Sequence, residues 1–356
     1  MYGDAGGGAI SLSKKIDEQV RITLEDDEAR GACTLPYSEP CRKYLQRRIA
    51  AGEDIVSPLP RLYARGSYWR GLGPEQRAVA KMRGLVTRHC DWIFRGTSAA
   101  LLHGLSVSHR LLDVIEVASP SGTRTLYGGG VRTRHVDIDE EPCAFAHGLP
   151  VTPILRTLFD CARELPLRDA TAILDSALHL ELVNKEQLIA YVDGKKNCKG
   201  SRQARFAVQF ADGRSGSGGE SMARAAMWEL GFAAPELQEE FVDPMSGRHY
   251  FADFCWRTAD GRTIVGELDG GEKYVNDQMT GGRSITGVMR AERLRESRLT
   301  MLVDGIVRFS PAMVEDAAGF SRLLDTFGVP RDHEPVIEVR RSPAYDEVPL
   351  SAYGLA

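Results

Sequence analysis

The sequence has no Cys-x-x-Cys pair and no uninterrupted apolar run of the roughly 20 residues that a membrane span needs. Its seven cysteines (Cys33, Cys41, Cys90, Cys143, Cys161, Cys198 and Cys255) are odd in number and widely scattered. That spacing argues against both a disulfide framework and a structural zinc site. A reducing cytoplasm is the expected compartment. Residues 1–8, Met-Tyr-Gly-Asp-Ala-Gly-Gly-Gly, lack the basic segment followed by an apolar one that marks a secretory leader. No membrane partner is expected.

What remains is ordinary globular material. At 356 residues, 43% hydrophobic and 26% charged, the chain has room for two or three domains of about 150 residues each. Its net charge of −4 hides an asymmetry: residues 38–110 hold 13 Lys/Arg against 5 Asp/Glu, and residues 215–256 hold 2 against 7. The first stretch should attract polyanions and the second cations.

Residues 1–35, Gly-rich and then mixed in charge, read as a mobile leader. From Ser38 a helix start is followed by Cys41 to Ala51 at helical spacing and a stop at Gly52. Ile55–Pro58 and Leu62–Arg65 then read as two short strands around Pro58-Leu59-Pro60-Arg61. A basic helix followed by a β-hairpin is how a winged helix presents its recognition helix and wing to DNA, so residues 36–73 form a candidate DNA-binding region. Arg42, Lys43, Arg47 and Arg48 on the helix, with Arg61 and Arg65 on the hairpin, are the candidate DNA contacts. A solvated helix face beside a structural hairpin is the alternative that charge alone leaves open.

Residues 74–210 continue as an α+β and then helical body, with strands near Ile93, Val117 and Val131 and helices over 167–181, 185–192 and 200–210. His103 and His135 have no spaced ligand partner and read as structural. Residues 211–219, Ala-Asp-Gly-Arg-Ser-Gly-Ser-Gly-Gly, form the most linker-like segment and are expected to mark the major domain boundary. Gly96-Thr97-Ser98-Ala99-Ala100-Leu101-Leu102-His103-Gly104-Leu105 and Thr152-Pro153-Ile154-Leu155-Arg156-Thr157-Leu158-Phe159-Asp160 resemble the AbiEi-type antitoxin region. That resemblance covers about residues 38–165 and implies a DNA-binding N-terminal part that represses its own operon, with a cognate toxin as partner.

Residues 220–328 carry the acidic pattern. Glu220–Gly231 reads as a helix in which Ser217 and Glu220 form a capping box. Glu236–Val242 and His249–Trp256 read as strands, and the loop Ala259-Asp260-Gly261 leads into Thr263-Ile264-Val265-Gly266-Glu267-Leu268-Asp269-Gly270. A three-residue loop with Gly261 left-handed pairs Thr258 with Arg262 and places Asp253 opposite Glu267, with Asp269 on the same face. Like charges so placed repel, and a divalent cation held by Asp253 and Glu267 would remove that penalty; Mg²⁺ (or Mn²⁺) is the expected cofactor.

The layout resembles the PD-(D/E)XK nucleases, especially those similar to very-short-patch-repair endonucleases, over about residues 217–320. By that resemblance Asp253 and Glu267 bind the metal. Asp269 stands where the commoner motif has lysine, Lys273 is a substitute ammonium, and Glu220 is an optional helper. A helix over Met289–Leu302 carries Arg290, Arg293, Arg295 and Arg298, mostly as a solvated face, with Arg283 and Arg290 as candidate phosphate contacts. Residues 329–356 read as a weakly ordered tail.

The expected fold is therefore α+β and multidomain: an N-terminal winged helix plus α+β body, then a restriction-endonuclease-like α/β fold with a mixed central sheet. The expected function is metal-dependent endonucleolytic hydrolysis of DNA phosphodiester bonds. The alternative is a non-catalytic AbiEi-like antitoxin or transcriptional regulator with a degenerate nuclease fold.

Overall fold

Helix α1 (Gly7–Ala29) begins the first of two units, Met1–Asp160 and Cys161–Ala356, into which the chain divides. A computed structural model describes residues 7–119, 130–135, 143–195, 197–269 and 294–336. Both units mix helices and sheets. Among the described residues no helix is long and apolar enough to cross a membrane.

In the first unit, Val20 and Leu24 lie one turn apart on α1. They are buried against Cys41 and Leu45 of α2 (Glu39–Ala50), Ile55 of β1 (Ile55–Leu59) and Tyr63 of β2 (Leu62–Arg65). Residues 14–29 are thus no mobile leader. Burying an aliphatic side chain is worth roughly 1.5–3 kcal/mol, enough for two such residues to hold the helix on this small core. The Ser38 side chain caps α2 by accepting from the Cys41 N–H at 3.4 Å, with Pro40 in the first turn, and the left-handed Gly52 (φ 77°) lets the chain turn away. β1 and β2 pair antiparallel around a turn in which Arg61 takes φ 71°. Thr34 bridges Tyr63 across the other side of the hairpin through bonds of 2.7 and 2.9 Å.

After α3 (Gly66–Gly71) and α4 (Pro74–Val86) comes a five-stranded mixed sheet of order β5-β4-β3-β7-β6. Its strands are β3 (Ile93–Phe94), β4 (Ile115–Ser119), β5 (Val131–His135), β6 (Ala144–Ala146) and β7 (Leu149–Val151). α5 (Gly96–Leu102) and α6 (Ile154–Glu164) accompany it. A fully buried ion pair, Arg95–Asp160 at 2.9 Å with Arg156 as a second partner, crosses from β3 to α6. His103 meets the Thr152 carbonyl through Nε2 at 2.9 Å, the structural role expected of it.

The boundary falls within α6, whose last residues, Cys161–Glu164, begin the second unit; α7 (Leu167–His179), α8 (Lys185–Gly194), α9 (Ser201–Phe210) and α10 (Gly218–Glu229) follow. Residues 211–219 do not separate two units. Ala211 and Ser215 are buried, the Asp212 N–H donates to Asp175 at 2.7 Å, and Arg214 spans Asp212 and Glu236. Glycine and serine content suggested a linker because composition does not register these bonds.

The sheet that follows has order β11-β10-β9-β8: β8 (Glu236–Val242), β9 (His249–Arg257) and β10 (Thr263–Leu268) are antiparallel, and β11 (Gly305–Phe309) runs parallel to β10. Helix α11 (294–299) lies between β10 and β11 in sequence, and α12 (Pro311–Glu315) and α13 (Ala317–Phe327) follow β11. One sheet face carries Phe254, Trp256, Ile264 and Phe309 against Met227 and Leu230 of α10 and Phe320 and Leu324 of α13. The other buries Ala252, Cys255 and Val265 against Leu299 of α11. The expected tail is partly fixed: Val329 is buried, the Arg331 guanidinium lies 3.9 Å from the Phe232 ring centroid, and the Val336 N–H donates to Glu229 at 2.8 Å.

Candidate functional site

Two clusters of predicted site residues lie in separate units. On α2, the buried Cys41 and Leu45 point the opposite face, with Lys43, Gln46 and Arg47, outward. Arg42 is bound to Glu39 at 2.8 Å, and Arg48 to Glu53 at 2.6 Å with its guanidinium over Tyr44. Arg65, though exposed, is paired, donating from its backbone N–H (3.0 Å) and Nε (2.6 Å) to the buried Glu28. Lys43, Arg47 and Arg61 are different: each is exposed, and none pairs with a carboxylate among the described residues. Arg42 first, then Lys43 and Arg61, hold the Glu39 carboxyl below its usual range.

In the second unit the loop register is as expected. Gly261 is left-handed (φ 86°), the Thr258 N–H donates to Arg262 at 2.9 Å, and the β9–β10 ladder runs from Thr263↔Arg257 to Gly266↔Phe254. Asp253 and Glu267 are the next step, where the ladder stops. On β8, Gln238 has φ 51°, and the β8–β9 ladder omits the Gln238/Asp253 pair while keeping one register on either side, from Leu237↔Phe254 to Glu239↔Ala252. Asp253 Oδ2 accepts from the Leu268 N–H at 3.0 Å and Oδ1 lies 3.5 Å from Gln238 Nε2.

Glu220 belongs to this group. Ser217 caps α10 through the Glu220 N–H, but the expected capping box is not closed: the Glu220 carboxylate accepts from the Gly216 N–H (2.8 Å), the Ser217 hydroxyl and Gln238 (3.1 Å) and not from the Ser217 backbone N–H. Burial, and then the charge of Asp253, push its carboxyl up.

Glu267 has other partners. Its side chain is 5% exposed; Oε1 is held by Arg295 of α11, and Oε2 by Arg308 of β11 at 2.8 Å. Arg308 is the residue paired with Glu267 in the parallel β10–β11 ladder, and its other terminal nitrogen lies 3.7 Å from Asp269. The donor set expected for a divalent ion does not fit one at Glu267, because both oxygens of the second ligand are taken by guanidinium groups. Among the described residues, no group of three or more His, Cys, Asp or Glu could hold a metal. Lys273, Arg283, Arg290 and Arg293 lie outside the described residues.

Arg308 and Gln238 were not singled out in the sequence. Alternation along β11 puts Arg308 on one face, but only the ladder register aligns it with Glu267. Nothing in the sequence marks Gln238 as left-handed.

No family model matches the chain. Two curated relatives, uncharacterized proteins from two strains of Mycobacterium tuberculosis, are each 34% identical to it over 100 residues. The matched stretch is 28% of this chain and 36% of each relative, so the chain spans about a third of the length of the curated relatives it matches.

Proposed function

We propose that this chain is a DNA-binding protein of the regulatory kind, which contacts the duplex through α2 and the β1–β2 hairpin and does not hydrolyse it. The observation that carries this reading is the set Lys43, Arg47 and Arg61: three exposed cations without carboxylate partners among the described residues, two on a helix and one on the turn of the hairpin that follows it. The order α1, Thr34 bridge, α2, hairpin supports a winged-helix arrangement, with α2 in the major groove and the hairpin along the backbone. Arg42, Arg48 and Arg65 serve mainly to hold this element together. Regulation of its own operon, as in AbiEi-type antitoxins, is the role the resemblance offers.

The order α10-β8-β9-β10-α11-β11, with β11 parallel to β10, supports a PD-(D/E)XK-like frame for the second unit. In this reading the frame is a platform. Glu267, the second expected metal ligand, already has two arginines as counter-ions.

Binding of duplex DNA across a salt series tests the proposal. Each phosphate contact contributes about −0.9 to the slope of log K against log salt, so Lys43→Ala, Arg47→Ala and Arg61→Ala together should flatten the slope by roughly 3. An unchanged slope would refute the assignment. A second reading, metal-dependent cleavage, is favoured by the closeness of Glu220 and Asp253, whose repulsion a cation would relieve. Turnover with Mg²⁺ or Mn²⁺ that is lost in Asp253→Ala would move the conclusion to that reading.

A further inference from the structure

We infer that Arg295 and Arg308 are built-in counter-cations of Glu267, standing where the acidic pattern places a divalent ion. This end of β10 is then a structural clasp. The inference does not depend on the DNA-binding reading, since it concerns only the second unit.

Three strands and a helix meet at one carboxylate. Arg295 comes from α11, binds Glu267 Oε1 and also donates to the Phe251 carbonyl of β9 at 3.4 Å. Arg308 comes from β11, binds Oε2 at 2.8 Å and stands 3.7 Å from Asp269. A carboxylate this deeply buried needs paired charge and hydrogen bonds, and two guanidinium groups supply both. Among the described residues, Arg295 and Arg308 stand against Glu267, and Arg308 also against Asp269.

A divalent ion binds carboxylate oxygens at about 2.0–2.1 Å for Mg²⁺. At Glu267 it would first have to displace a guanidinium and would then face the other as a like charge. The neighbouring acids offer little in exchange. Asp253 spends one oxygen on the Leu268 N–H, and Glu220 is bonded to Gly216, Ser217 and Gln238.

The test is Mn²⁺ titration of the full-length protein by calorimetry, with thermal unfolding alongside, in wild type, Glu267→Gln, Arg308→Gln and Arg308→Gln/Glu267→Gln. Freeing one oxygen of Glu267 should let Arg308→Gln bind Mn²⁺ at least about tenfold more tightly than wild type and unfold at higher temperature when Mn²⁺ is present. Adding Glu267→Gln should abolish that gain. The inference is overturned if Arg308→Gln binds Mn²⁺ no more tightly than wild type, or if wild type has a site that Glu267→Gln removes. Should Arg308→Gln fail to fold, Arg295→Gln frees the other oxygen and decides the same question.

Discussion

Lys185 shows how much a single residue of the second unit depends on its surroundings. Its Nζ donates to the carbonyls of Gln209 (2.8 Å) and Ala211, close to Asp175, Arg224 and Asp212. Burial pushes its ammonium down from 10.5 to about 8, with Arg224 adding to the shift and the acids opposing it. Between about 8 and 10.5 the unfolded chain therefore binds more protons at this position than the folded one, so stability from this group rises with pH through that window. The difference in unfolding temperature between wild type and Lys185→Met should accordingly shift in favour of wild type from pH 8 to pH 10. A constant difference would mean that Lys185 keeps an ordinary pKa. Glu220 follows the opposite sign: its folded-state pKa is raised, so its contribution falls as pH rises from its unfolded value of 4.5.

At the scale of the element, the β9–β10 hairpin carries the register of the acidic end. Gly261 is left-handed, and a Cβ there would meet nothing within 4 Å, so the cost of a side chain is backbone strain alone. Gly261→Ala should destabilise the protein by about 1–2 kcal/mol, and Gly261→Asn by less, because asparagine tolerates this conformation. Chemical denaturation measures it, and equal stability of all three proteins would refute the three-residue loop. That loop was legible in Ala259-Asp260-Gly261, but the expected pairing of Asp253 with Glu267 is not in the ladder, which ends at Gly266↔Phe254: Asp253 meets Leu268 and Gln238, whereas Glu267 meets Arg295 and Arg308. Helices α7, α8 and α9 were legible too, over 167–181, 185–192 and 200–210. What the sequence hid is of another kind. The pairing of Glu267 with Arg295 and Arg308 depends on where α11 and β11 return to the sheet. The kink at Gln238 depends on a φ that no residue type dictates. α1 resembled a leader because its buried residues, Val20 and Leu24, sit among acids and a glycine-rich start.

The whole chain divides its charge as it divides its structure: the basic run at 38–110 lies in the first unit and the acidic run at 215–256 in the second. Each unit has a buried core of its own, around Leu45 and Tyr63 in one and around Phe254 and Phe309 in the other. DNA affinity should therefore separate with the units. Fragment 1–160 should bind duplex DNA with the salt slope of the full chain, because Lys43, Arg47 and Arg61 all lie within it. Fragment 161–356 should bind weakly at any salt, since its acids repel phosphate and the two arginines nearest the strand end are engaged by Glu267. Fluorescence anisotropy on both fragments and the intact protein reads this directly. If fragment 161–356 carried the affinity, DNA recognition would belong to the nuclease-like sheet, and α2 with its hairpin would be a solvated helix face beside a structural turn.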